Sequence, residues 1–132
     1  MILLDTHALI WLLLDDPRLG RQTRQIIASA WADNQAAVSA ISFWEIAMLC
    51  AKGRLELLVN AETWRAGLLR EGLIEIAVDG GTALRAGSLR DLHGDPADRI
   101  IVATALTGHP LVTADRRILD WPGRLRRLNA TE

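Results

Sequence analysis

At 132 residues with a formal net charge of −1, the chain is sized for one domain around a single core and exerts no global attraction on nucleic acid. Half of its residues are hydrophobic and 23% are charged, a balance that excludes a natively disordered chain. The longest apolar run, Ala8 to Leu14, falls far short of the ~20 residues that a membrane-spanning helix requires.

The first residues carry Asp5 and no basic group, which argues against a secretory signal. Cys50 is the only cysteine. No internal disulfide can form, and a cytoplasmic location with a buried, inert thiol is the expectation. Fourteen Arg stand against one Lys, Lys52. Arg favours bidentate contact with carboxylate or phosphate, although genomic base composition produces the same bias.

In chain order, the apolar run Ile2 to Leu4 leads into Asp5 and then into the helical pattern HALIWLLL. That is the pattern of a buried parallel strand handing over to its crossover helix. Asp16-Pro17 and Gly20 mark a turn, and Gln22 to Ala32 reads as an amphipathic helix. Ala36 to Ser39 is a second strand. It leads into ISFWEIAMLCAKG, read as a buried helix with Gly53 at its C-terminal end.

Asn60 caps a helix through Leu69, and Leu73 to Val78 forms a third strand, broken by Gly80-Gly81 before the helical TALRAGSLR. The clearest helix follows, with Asp95 as N-cap, Pro96 at N1, Asp98 at N3, and Gly108 and Pro110 beyond its end. LVTAD is a fourth strand, RRILD a short helix and RLRRL a fifth strand at the sheet edge. This alternation predicts an α/β fold in a single domain, residues 1–132, with a mainly parallel sheet of four to five strands and helices on both faces.

Four carboxylates converge in this scheme. Asp5 and Asp115 each follow a strand of one parallel sheet and so lie at the same edge, where open α/β sheets bind ligands. Asp98 sits in the first turn of a helix and Glu45 in the first or second turn of another, and the crossovers point both helix starts toward that edge. Each acid also has a structural role open to it. Asp98 complements a helix dipole, worth ~0.3–1 kcal/mol; Ser42-x-x-Glu45 fits a capping box; Asp115 can cap the short helix after it. Asp5 fits such a role least, because a carboxylate directly after a buried strand is costly without compensation.

Clustered carboxylates repel and their pKa values climb unless a cation neutralises them. For an all-oxygen donor set that cation is Mg²⁺ or Mn²⁺. Such a centre suits phosphodiester hydrolysis, in which the metal lowers the pKa of a bound water and offsets charge on the phosphate.

Taken together, LLDTHALIW, VSAISFWEIA, DPADRIIVATAL and LVTAD resemble, in order and separation, the PIN-domain ribonucleases, in particular the VapC-type toxins of bacterial toxin-antitoxin pairs. The resemblance implies a three-layer α/β/α sandwich and an acidic catalytic site of Asp5, Glu45, Asp98 and Asp115, with Asp5 and Asp98 as direct metal ligands. Thr6 and Thr113 match supporting polar positions. It further implies an endoribonuclease that cuts RNA, a homodimer, and an antitoxin partner whose C-terminal segment blocks the pocket. Leu49 stands where many relatives carry a Lys, and WPGRLRRLNATE has little family character.

Arg116 and Arg117 are the candidates for phosphate contacts, with Arg124, Arg126 and Arg127 behind them. His7 reads as incidental. His93 and His109 fall in loops and lack metal-ligand spacing. Trp11 and Trp44 read as core or dimer-interface residues. Three other readings compete. A haloacid-dehalogenase-type phosphatase wants an acid where His7 stands, and a receiver domain wants a Lys near the last strands, where there is none. A catalytically silent PIN-like binding module differs only in lacking metal binding and cleavage.

Overall fold

The computed structural model describes residues Met1–Glu132. Five strands, β1 (Ile2–Leu4), β2 (Ala36–Ser39), β3 (Ile74–Ile76), β4 (Leu111–Thr113) and β5 (Arg127–Asn129), form one sheet in the order β3-β2-β1-β4-β5. All four pairings are parallel, with Leu3 opposite Ala37 on one side and Leu111 on the other. The chain builds outward from β1 to β3, then returns to the other flank of β1 to lay down β4 and β5. Strand order therefore reverses between β1 and β4, which opens a crevice at their carboxyl ends.

Successive residues of a strand face opposite sides of a sheet, and the core divides accordingly. Leu4, Ala36, Val38 and Val112 belong to one cluster, which takes in Leu9 of α1 (Thr6–Leu13), Ile27 of α2 (Arg21–Ala32), Ile46 of α3 (Ile41–Ala51) and Leu68 of α4 (Ala61–Arg70). Leu3, Ala37 and Leu111 belong to the other, with Ile101, Val102 and Ala105 of α6 (Pro96–Ala105) and Ile118 of α7 (Arg116–Leu119). Helices thus cover both faces of the sheet. Burying each fully enclosed Leu, Ile or Val contributes roughly 1.5–3 kcal/mol, which fixes the register that places Asp5 and Asp115 at one edge. No helix is long and apolar enough to cross a membrane.

Several boundaries differ from the sequence reading. The third strand covers only Ile74–Ile76, and α5 (Gly80–Ser88) begins at the two glycines, because Asp79 accepts from the Thr82 N–H and caps the helix there. The fifth strand runs Arg127–Asn129 rather than through RLRRL, since Leu125 is drawn into the core ahead of it. Helix α3 is not the buried helix its apolar density suggests. Only Ser42 and Ile46 are buried, Trp44 is 51% exposed, and Cys50 is half-buried against the core.

Candidate active site

Asp5 is 2% exposed at the end of β1 and serves as N-cap of α1. Its Oδ1 accepts from the Thr6 N–H at 2.8 Å, and its Oδ2 accepts from Thr113 Oγ1 at 2.7 Å. Thr113 Oγ1 in turn accepts from the Asp115 N–H at 3.1 Å, so one buried hydroxyl ties the ends of β1 and β4 together. His7 completes this corner. Its Nε2 lies 2.9 Å from the Ala114 N–H and accepts from it, which leaves Nδ1 to carry the ring proton, 3.6 Å from Asp5 Oδ2.

Glu45 reaches the same region from α3. The capping box suggested by Ser42-x-x-Glu45 does not form: α3 starts after Ala40 with no side-chain cap. Both side chains turn to Thr6, whose Oγ1 lies 2.5 Å from Glu45 Oε1 and 2.8 Å from Ser42 Oγ. A hydroxyl holds one proton, so Thr6 donates to one of them at a time. Burial pushes the Glu45 carboxyl up to about 7, despite the Thr6 hydroxyl, and the charges of Asp5, Asp98 and Asp95 add to the shift.

Asp98 is buried at N3 of α6, a helix started by Asp95, which accepts from the Ala97 and Asp98 N–H groups, and by Pro96 at N1. Burial raises the Asp98 carboxyl, a hydrogen bond to His93 opposes this, and the charges of Asp5, Asp95 and Asp115 raise it further. His93 Nε2 is 2.7 Å from Asp98 Oδ2.

Asp115 caps α7 through the Arg117 N–H and pairs with the Arg117 guanidinium, 3.0 Å from Oδ2. Burial alone would raise Asp115, but Arg117 holds its carboxyl below the ordinary range. The same guanidinium lies 3.6 Å from Asp98 Oδ2.

The donor atoms of His93, Asp98 and Asp115 fall within 4.8 Å of one another, a spacing that suits ligands of one ion. Asp5 stands outside that trio, yet its charge acts on both Glu45 and Asp98. Burial raises the carboxyls of Glu45 and Asp98 and the neighbouring carboxylates raise them further, and a cluster of hard oxygen donors of this kind fits a divalent cation. Shallow clefts flank the acids. One, of about 240 Å³, is lined by His7, Trp11, Ala114 and Asp115; the other, of about 320 Å³, includes Trp44, Glu45, Lys52, Arg54 and Asp95.

Of the predicted phosphate contacts, Arg117 is at the site, whereas Arg116 points away and pairs with Asp120 at 3.1 Å. Arg126 and Arg127 donate to backbone carbonyls, Arg126 to Gly108 and Arg127 to Ile118, Trp121 and Gly123. His7, which reads as incidental, and His93, which reads as a loop residue, both lie against site aspartates. Their signal was proximity: one follows Asp5, and the other precedes the capped start of the Asp98 helix by two residues.

Residues 2–123 match the PIN domain family. This chain belongs to the PIN-domain family. It is 36% identical over 119 residues to ribonuclease VapC22 of Mycobacterium tuberculosis, spanning 89% of this chain and 88% of that relative. Among solved structures, this PIN domain superposes on a chain of a toxin-antitoxin complex from Klebsiella pneumoniae with a TM-score of 0.67 and 25% identity, covering 98% of both chains. It superposes on a chain of VapBC2 from Rickettsia felis, solved with a promoter DNA fragment, with a TM-score of 0.71 and 18% identity, again over 98% of both.

The strand order also removes the receiver domain, whose sheet runs 2-1-3-4-5. The phosphatase reading fails at His7, which is occupied with Ala114 and Asp5 where that chemistry needs an acid.

Proposed function

We propose that this PIN domain is a divalent-metal-dependent endoribonuclease, a single catalytic domain that acts as the toxin of a toxin-antitoxin pair. One observation carries the reading. Asp5, Glu45, Asp98 and Asp115 come from four separate elements and lie near enough, about the point where strand order reverses, for the charges of Asp5 and Asp98 to act on Glu45 and those of Asp5 and Asp115 on Asp98, in a chain similar over most of its length to a ribonuclease.

Asp5 and Asp98 would hold Mg²⁺ or Mn²⁺, with Glu45 and Asp115 completing the acidic shell. When bound, such an ion supplies charge compensation at the phosphate and an acidified water. Thr113 and the Thr6 N–H fix the Asp5 carboxylate, and the Thr6 hydroxyl aims Glu45. Glu45 is placed to take a proton from an attacking water once the ion offsets the burial and the carboxylate charges that otherwise raise its carboxyl. Arg117, 60% exposed, is placed to meet a substrate phosphate. On the same reading the chain acts as a homodimer in the cytoplasm, with an antitoxin lying over the acids; its structural neighbours include a toxin-antitoxin complex from Klebsiella pneumoniae and VapBC2 from Rickettsia felis.

The test is cleavage of cellular RNA by the purified chain. Activity is expected with Mg²⁺ or Mn²⁺ and lost in chelator, and Asp5→Asn is expected to remove it. Undiminished cutting by Asp5→Asn would rule out the mechanism. Suppression of cleavage by a small DNA-binding protein encoded beside this chain would identify the antitoxin.

A further inference from the structure

We propose that His93 is a positioning residue for Asp98, gripping one carboxylate oxygen so that the other is presented to the cation, and that Arg99 holds the histidine in place. The inference rests on reading Asp98 as a metal ligand.

Asp98 Oδ2 is engaged by His93 Nε2 at 2.7 Å, while Oδ1 accepts no hydrogen bond. At that separation two lone pairs would repel, so Nε2 carries the proton and donates. Nδ1 is buried without any partner. A nitrogen that holds a proton toward Asp98 has no lone pair for a metal. The proximity of His93 to Asp98 and Asp115 therefore reflects support of a ligand and not ligation by the ring.

The loop that carries His93 is held chiefly by side chains. Arg99 donates to four carbonyls, from Nε to Ala86 at 3.0 Å, from Nη2 to Leu89 at 2.7 Å, and from Nη1 to Leu92 and His93 at 2.8 and 3.2 Å. Trp121 Nε1 donates to the Arg90 carbonyl at 2.7 Å. Arg99 directly follows Asp98 in α6. One helical turn thus carries both the carboxylate and the clamp on its partner, and a planar five-donor fork is the side chain suited to gathering several carbonyls at once.

Hydrogen-bonded supports of metal ligands typically contribute about 10–100-fold in metal affinity. Mn²⁺ binding, followed by loss of the free-ion paramagnetic resonance signal, is expected to weaken by about that factor in His93→Ala. It is expected to recover in His93→Gln, whose amide restores a donor. Wild-type affinity in a folded His93→Ala overturns the assignment, as does failure of His93→Gln to recover binding.

Ring-nitrogen NMR of the unmutated protein tests the same claim if His93→Ala does not fold. The expected signal is a protonated Nε2 that persists at saturating Mg²⁺. An unprotonated Nε2, or loss of its proton on adding Mg²⁺, overturns the proposal. Mn²⁺ binding that survives Asp5→Asn counts against the proposed acidic centre, whereas wild-type affinity in His93→Ala counts against the histidine's role alone.

Discussion

Replacing Glu45 with Gln removes a charge that the metal-free fold disfavours at neutral pH. Burial, followed by the charges of Asp5, Asp98 and Asp95 and opposed by the Thr6 hydroxyl, brings the carboxyl to about 7 from its ordinary 4.5. Between those values the folded chain keeps the proton that the unfolded chain has released, so stability falls as pH rises through the interval and levels off above about 7. This sign is opposite to that of a salt-bridged carboxylate. At about 1.4 kcal/mol per pH unit the interval amounts to about 3 kcal/mol. Solvent reaches part of the group, and screening reduces the figure to about 1–2 kcal/mol. Gln at this position stays neutral and still offers an oxygen to Thr6. Glu45→Gln is therefore expected to match the parent near pH 4.5 and to exceed it by about 1–2 kcal/mol at pH 8 in chelator. Urea unfolding at both pH values measures this, and the difference of differences isolates Glu45 because other titrations cancel. Saturating Mg²⁺ should erase or reverse the advantage, since an ion bound only to the folded state stabilises the parent more. An advantage of equal size at both pH values, or a less stable variant at pH 8, would refute the reasoning.

Thr113→Val keeps the β-branched shape but strips Asp5 Oδ2 of a buried donor and the Asp115 N–H of its acceptor; urea unfolding should show a loss of about 1–3 kcal/mol. Thr6→Val removes the hydroxyl that pulls the Glu45 carboxyl down, so the Glu45 carbon resonance in an NMR titration should move to a higher midpoint. Arg117→Ala, made in the inactive Asp5→Asn background, should lower the slope of log affinity for single-stranded RNA against log salt by about 0.7. The Asp115 carboxyl should rise with it, because Arg117 is what holds it down.

The existence of each strand and the starts of α4 and α6 were legible because they are written locally. The Asp95, Pro96 and Asp98 positions of α6, and Asn60 as the cap of α4, stand where short-range rules put them. The exposure of Trp44 was not legible. Helix α3 reads as apolar throughout, and only the packing of α1 and α4 beside it decides which stripe is covered. The fifth strand moved for a related reason: the residue that pairs with Leu111 is set by where Leu125 and Trp121 find the core, a three-dimensional constraint that RLRRL does not carry. At the site the acids were legible by type and by strand end. Thr6 and Thr113 followed from the family resemblance alone, and which acid each one holds was not legible. Thr6 to Glu45, Thr113 to Asp5 and Ser42 to Thr6 span 39, 108 and 36 positions of sequence, and no local pattern encodes such pairs.

For these acids the structural and functional roles are not rivals. A carboxylate has two oxygens and four lone-pair positions, and a helix cap uses one of them. Asp5 caps α1 with Oδ1 while Oδ2 faces Thr113 and His7, and Asp115 caps α7 while its second oxygen faces Arg117. Capping ties the carboxylate to a backbone whose position the sheet fixes, so the helix start acts as the jig for the site. Glu45 is the exception. It caps nothing, it hangs on a single hydroxyl, and burial lifts its carboxyl to about 7. A charge held so loosely in so unfavourable a place does little for the folded chain by itself, which makes Glu45 the acid whose presence depends most on the cation and the reaction.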